Sequence, residues 1–350
     1  MVFEEKGWVY IRKCCPEHGE FEGLVEKDAG LYRRFAHIRP EGYPKFDQLA
    51  IPITHRCNLD CEYCFARLPN RKDISLSQIK EAINNFRGQK IGLTGGEPTL
   101  REDLESIITM VKQAGKTANL ITNGLRLSDL KYLRSLKKAG LDGIGFSLDS
   151  FKDEFYNIMK KGKLGVKNIL NLKKEALINL EIERIPITLS ATIYPGLNDK
   201  EFKDLFIFAI KKSYFIGGIR FRSCARIERS RSNIKDGYFL SELLNLFSKQ
   251  INIDKKTLFT QCLFPDYHTP HHITFYLTGY LRKDNFVPYF NFENRVDLKR
   301  QWVRIVHWPT IENIDIQEVD RGTAHLYDKN KILNFCHAII LDNREQRIRP

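Results

Sequence analysis

The chain has 350 residues, 42% hydrophobic and 28% charged, with a formal net charge of +13. This is the composition of a globular protein with a sizeable core, and it excludes a disordered chain. Eight cysteines are too few for a disulfide scaffold at this length. No apolar run reaches the roughly 18 residues of a membrane-spanning helix, and the opening MVFEEKGWVYIRK lacks the basic-then-apolar order of a signal segment, so the expected location is cytoplasmic, with reduced thiols.

At about 150 residues per domain the length allows two or three units. Texture divides the chain into an N-terminal extension (1–45), a core domain (46–235) and a C-terminal substrate or cap region (236–350). The extension opens on an aromatic, strand-like stretch and carries Cys14-Cys15-Pro16-Glu17-His18-Gly19. From residue 46, short apolar runs alternate with amphipathic stretches. The runs Leu49–Ile53, Ile91–Thr94, Ala118–Thr122, Ile144–Leu148, Ile187–Ile193 and Ile219–Phe221 read as buried parallel strands. Between them, Ser75-Leu76-Ser77-Gln78 is a capping box opening a helix on Leu76, Ile79, Ile83 and Phe86. Leu130, Leu133 and Leu136 stripe a second helix that stops at Gly140. Ile169, Leu170 and Leu172 mark a third, and Asn198 and Asp199 are candidate caps for a fourth carrying Phe202, Leu205, Phe206 and Ala209. Six β-then-α units in succession favour right-handed crossovers and a parallel sheet. Two units short of the eight-fold closed form, they predict an α/β fold with a partial, open (β/α)6 TIM-type barrel. After residue 235 the alternation fades, and runs such as Ile273–Tyr280 and Trp302–Trp308 predict a smaller α+β region.

The chemistry concentrates directly after the first strand, in Cys57-Asn58-Leu59-Asp60-Cys61-Glu62-Tyr63-Cys64. Three thiolates at C-x3-C-x2-C spacing suit a soft metal or an iron–sulfur cluster. Structural zinc usually takes four protein ligands, and no fourth stands at ribbon spacing. With three cysteines, one iron of a [4Fe–4S] cubane is left for an exogenous ligand. Barrel active sites gather at the C-terminal ends of the strands, which is where this loop falls.

The loop resembles the hallmark of the radical S-adenosylmethionine (SAM) superfamily, C-x3-C-x-aromatic-C, with Tyr63 as the aromatic. Further matches stand at successive strand ends: Thr94-Gly95-Gly96-Glu97-Pro98, Thr122-Asn123-Gly124, Ser147-Leu148-Asp149 and Pro195-Gly196-Leu197-Asn198-Asp199. The core is also similar to the molybdenum-cofactor-biosynthesis and peptide-maturase subgroups. The resemblance implies a [4Fe–4S] cluster on Cys57, Cys61 and Cys64, and SAM held by Tyr63, Gly95, Gly96, Glu97, Thr122, Asn123, Ser147 and Asp149. Arg222 is a candidate for its carboxylate. It further implies reductive SAM cleavage to a 5′-deoxyadenosyl radical that takes hydrogen from a substrate, and a low-potential electron donor such as ferredoxin or flavodoxin.

Residues 8–23 are similar to the N-terminal segment of a subgroup that includes the archaeal tetraether lipid synthase, although no C-x2-C precedes Cys14. This favours a small metabolite or lipid as substrate, over a peptide, a protein or RNA. A non-catalytic iron–sulfur or zinc-binding protein is the rival reading. Cys14, Cys15, His18, Cys224, Cys262 and Cys336 are leftover candidates for a second metal site. The lysine and arginine clusters, among them Lys160-Lys161 with Lys163 and Lys173-Lys174, read as solvated surface. No RNA-binding motif accompanies them.

Overall fold

A computed structural model of the chain describes residues 1–15, 19–36, 48–64, 72–224, 237–262, 272–288, 299–306, 324–328 and 331–334. In chain order, β1 (Val2–Glu5), β2 (Trp8–Cys15) and β3 (Gly19–Glu26) precede α1 (Ala29–Ala36). Then come β4 (Gln48–Thr54), β5 (Leu59–Cys61), α2 (Leu76–Asn85), β6 (Lys90–Gly95), α3 (Leu104–Gln113), β7 (Thr117–Thr122), α4 (Leu130–Lys138), β8 (Gly143–Ser147), α5 (Asp153–Met159), β9 (Lys160–Gly162) and α6 (Ile169–Ile182). The remainder is β10 (Ile187–Ile193), α7 (Phe202–Lys211), β11 (Ile216–Ser223), α8 (Leu240–Ile251), β12 (His272–Arg282), β13 (Asn285–Pro288), β14 (Lys299–Val306), β15 (Ala324–Asp328) and β16 (Lys331–Asn334). All six expected strands are present, followed by helices in the expected alternation. The α/β class and the partial-barrel type of core therefore hold.

Two compact units emerge. One comprises residues 42–188, 228–234 and 319–350. Its sheet runs β8-β7-β6-β4-β15-β16. β4, β6, β7 and β8 pair in parallel, and their runs are nearly continuous in apolar residues because both faces are covered. Leu49, Ile51, Ile53, Ile91, Leu93 and Leu120 are wholly buried. The capping box forms as expected: Ser75 Oγ accepts from Gln78 N, and Gln78 Oε1 accepts from Ser75 N. Asp129 caps α4, and Gly140 beyond its end takes φ +103°. β15 returns from far along the chain to pair in parallel with β4, Ala324 opposite Gln48.

The other unit comprises residues 1–41, 189–227 and 235–318. β1–β3 form an antiparallel sheet whose inner face, with Val9, Ile11 and Val25, packs on Ala29, Tyr32 and Ala36. A larger sheet runs β13-β12-β14-β11-β10. An aromatic core locks α7 and α8 onto it: Phe202 meets Phe221 at 4.6 Å, and Phe206 meets Phe286 at 5.1 Å. Asn198 and Asp199 are not the caps of α7, whose N-terminus has no side-chain cap. Asn198 instead turns back on its own loop, accepting from Tyr194 N and donating to the Thr192 carbonyl. Asp199 accepts from Gly196 N and from Tyr238 Oη. Both side chains are spent on the turn after β10.

A buried carboxyl joins β3 to α8 in this unit. Glu26, 1% exposed, accepts from Ser241 Oγ and N and from Lys27 N. Burial outweighs these donors and pushes its pKa upward. Its contribution is therefore full below the unfolded carboxylate range and is lost as pH rises through the folded value. Chemical denaturation between about pH 4 and pH 7 should show the wild type losing stability relative to Glu26→Gln as pH rises. Parallel pH profiles would contradict this.

Candidate active site

The site is assembled at the C-terminal ends of β4, β6, β7 and β8. Strand β4 leads into Thr54-His55-Arg56 and then the cysteine loop. Asp73 fixes that exit: it accepts from Thr54 Oγ1 at 2.7 Å and from His55 N, and pairs with Arg56 at 3.3 Å. Arg101, 8% exposed, donates to the Ile53 and Ile74 carbonyls and pairs with Asp103.

Gly95 and Gly96 stand where β6 ends. Gly96 N donates to the Thr54 carbonyl, and Glu97 N to the Arg56 carbonyl, each at 2.8 Å. A Cβ on Gly95 would stand 2.0 Å from Thr54 O, and one on Gly96 would stand 2.3 Å from Arg56 O. Two backbones can approach this closely only without side chains. The glycine pair thus serves the start of the cysteine loop.

Glu97 is fully buried. Its Oε1 accepts from Thr99 N, Thr99 Oγ1 and Thr122 Oγ1, and its Oε2 from Asn123 N. One carboxylate therefore joins the ends of β6 and β7. Asn123 in turn donates from Nδ2 to Asn58 Oδ1 at 2.8 Å, reaching into the cysteine loop.

The loop is stitched from its other side by the segment after α5. β5 pairs antiparallel with β9, Cys61 opposite Lys160. Glu62 N donates to the Met159 carbonyl, and Lys163 N to the Asn58 carbonyl. Lys160, 4% exposed, places Nζ 2.5 Å from Asp149 Oδ2 and 2.6 Å from Ser147 Oγ. The ring of Tyr63 lies 5.7 Å from the same ammonium. Burial alone would lower the Lys160 pKa. The Asp149 carboxylate outweighs it, so the net shift is upward and the group stays a cation.

Cys57, Cys61 and Cys64 are part-buried and form no disulfide. Burial pushes the Cys57 thiol up to about 11 and the Cys61 thiol up to about 12. Without a metal they are thiols, and ligation must displace their protons. Among the described residues, no three His, Cys, Asp or Glu side chains converge to hold a single metal ion. A cubane does not need such convergence, because each of its ligating sulfurs binds a different iron. The donor set, three soft thiols on one fastened loop beside a buried cation, fits an anionic cluster with one unligated iron.

The predicted residues Cys57, Cys61, Tyr63, Cys64, Gly95, Gly96, Glu97, Thr122, Asn123, Ser147 and Asp149 all lie in this one unit. Arg222 belongs to the other unit, on β11. Lys160 and Lys173 correct the expectation of solvated surface, since both are buried, while Lys161 and Lys163 are exposed. Asn58, Asp73 and Arg101 also escaped the sequence reading. Of the leftover candidates, Cys14 is exposed and Cys224 and Cys262 are buried. The side chain of Cys15, with His18 and Cys336, lies outside the described residues.

Residues 51–209 match the model of the Radical SAM superfamily. The chain is 30% identical over 254 residues to the 7,8-dihydro-6-hydroxymethylpterin dimethyltransferase of Methanocaldococcus jannaschii, covering 63% of this chain and 49% of that one. It is 34% identical over 187 residues to a probable GTP 3′,8-cyclase of Thermococcus kodakarensis, covering 52% and 56%. It is 31% identical over 218 residues to the GTP 3′,8-cyclase of Limosilactobacillus fermentum, covering 59% and 63%. The chain thus spans about half to three-fifths of the length of these relatives. The solved structure of Streptococcus suis SuiB bound to S-adenosylmethionine aligns with a TM-score of 0.47 at 17% identity, over 59% of this chain and 47% of that one. No helix among the described residues is long and apolar enough to cross a membrane.

Proposed function

Because residues 51–209 match the Radical SAM superfamily model, we propose that this chain is a radical SAM enzyme acting on a small metabolite. The observation that carries the reading is the cysteine loop itself, fastened between the ends of β4, β6 and β7 with the Lys160–Asp149 pair against it. When bound, a [4Fe–4S] cluster together with SAM supplies a one-electron cleavage of the sulfonium, giving a 5′-deoxyadenosyl radical. Cys57, Cys61 and Cys64 would hold three of the irons, leaving the fourth for the amino and carboxylate groups of SAM. Gly95 and Gly96 let the end of β6 close onto the Thr54 and Arg56 backbone, which sets the start of the cysteine loop, and SAM would meet this turn through its main chain. Glu97 works through what it fixes, since its carboxylate already serves four donors on Thr99, Thr122 and Asn123. Ser147 and Asp149 are assigned to the ribose hydroxyls, with Lys160 setting their orientation and offsetting the charge of the cluster.

The substrate class follows from two supports. The N-terminal segment resembles a small-molecule and lipid subgroup, and the similar proteins are by name a pterin dimethyltransferase and GTP cyclases. A nitrogen heterocycle of pterin or purine type therefore fits better than a peptide or RNA. A ferredoxin or flavodoxin in the cytosol would deliver the electron.

Anaerobically reconstituted protein should bind iron and sulfide in equal amounts, bind SAM in a calorimetric titration, and release 5′-deoxyadenosine when dithionite is added. A cluster-loaded protein with no SAM binding would overturn the reading in favour of a non-catalytic metal protein.

A further inference from the structure

Helix α6 turns Ile169, Leu170, Ala176, Leu177 and Leu180 inward, and Lys173 sits on the same stripe, 0% exposed. A buried ammonium is costly unless its donors are used. Here Nζ donates to the Asn123 carbonyl at 2.6 Å and to the Ser147 carbonyl at 2.5 Å. The rings of Phe146 and Tyr156 lie 5.3 and 5.7 Å from it. The two carbonyls belong to the ends of neighbouring parallel strands: the β7–β8 ladder has its last paired residues at Thr122 and Phe146. Lys173 thus bridges the strands just beyond the last rung of the ladder.

What hangs on those two ends makes the bridge more than packing. Asn123 is tied to Glu97 and to Asn58 of the cysteine loop. Ser147 is tied to Lys160, and through it to Asp149. We propose that Lys173 is a positioning residue that sets the spacing between the Thr122–Asn123 and Ser147–Asp149 strand ends, and thereby the fit of the site to SAM. This rests on the SAM-binding reading above. Burial, and then the nearby Lys160, bring the amine down to about 7. The bridge survives loss of the charge, because a neutral amine still carries the two N–H donors that the carbonyls require.

The test uses the whole chain with Lys173→Met, which keeps length and apolar volume but removes the donors, and Lys173→Gln as a second variant should the first not fold. Amide hydrogen exchange on the protein without cofactors should be at least tenfold faster than wild type over residues 118–128 and 143–151. SAM binding to the cluster-loaded variant should weaken at least tenfold, with iron and sulfide content unchanged. A purely structural lysine would lower overall stability and leave the SAM affinity of the folded protein alone, so affinity within twofold of wild type overturns the proposal, as does unchanged exchange in the two segments. Failure of the wild type to bind SAM would instead overturn the functional reading, and exchange alone would then decide whether Lys173 holds the strand ends.

Discussion

Cys57→Ala, Cys61→Ala and Cys64→Ala, made singly, each abolish release of 5′-deoxyadenosine from SAM, and the loss exceeds the roughly 10–100-fold expected for an outer partner of a metal site. On the proposed function the three thiols would be the whole protein share of a four-iron donor set, so none would be redundant. Among the described residues, no other cluster of His, Cys, Asp or Glu is placed to substitute. Iron and sulfide content should fall with activity in each variant. Cys224→Ala and Cys262→Ala provide the contrast: both thiols are buried, and iron content and SAM cleavage should survive their loss. Loading should also depend on pH with a definite sign. Burial holds the Cys57 and Cys61 thiols protonated, at about 11 and about 12, so iron must displace protons and loading improves as pH rises. SAM cleavage by the triple alanine variant, or loading that weakens with rising pH, would contradict this account.

How much of this could be read in advance depends on whether the signal was local. The parallel strands were legible because burial on both faces writes itself as a continuous apolar run, as in Leu49–Ile53. The cysteines were legible because ligand spacing is a property of a few adjacent residues, and so was the capping box at Ser75. Gly95 and Gly96 were seen, but their reason was not. The resemblance marks them as SAM contacts, whereas the backbone they admit is that of Thr54 and Arg56, a neighbour that only the parallel pairing of β4 and β6 supplies. The sequence reads Lys160 and Lys173 as surface because lysine usually is. A clue was present at Lys173, which falls on the i, i+3, i+4 stripe of α6 with Leu170, Ala176, Leu177 and Leu180. No such clue marks Arg101 or Asp73, whose partners on Ile53, Thr54 and His55 are brought near by tertiary folding. The pairing of β15 with β4 was illegible for the same reason.

Gly96→Ala separates the motif from its neighbours most sharply. A single methyl there would stand 2.3 Å from the Arg56 carbonyl oxygen and 2.8 Å from that of His55. Both are main-chain atoms, with no rotamer to yield. Relief has to come from moving β6 away from the cysteine loop, which breaks the bonds from Gly96 N to Thr54 O and from Glu97 N to Arg56 O. Displacing Glu97 then releases Thr99, Thr122 and Asn123 together. Overpacking costs roughly 1–3 kcal/mol, and the lost bonds in a buried setting add about 1–3 kcal/mol each. Gly115→Ala is the control. Gly115 has φ +70° and nothing within 4 Å of an added Cβ, so only backbone strain of about 1–3 kcal/mol applies. Denaturant midpoints should therefore fall in both variants, but iron loading and SAM binding should collapse only in Gly96→Ala. If the two glycine variants load iron equally well, the close approach of β6 to the cysteine loop is not what shapes the site. In that event the conformation of the loop would have to come from β9, Asp73 and the Asn123–Asn58 bond.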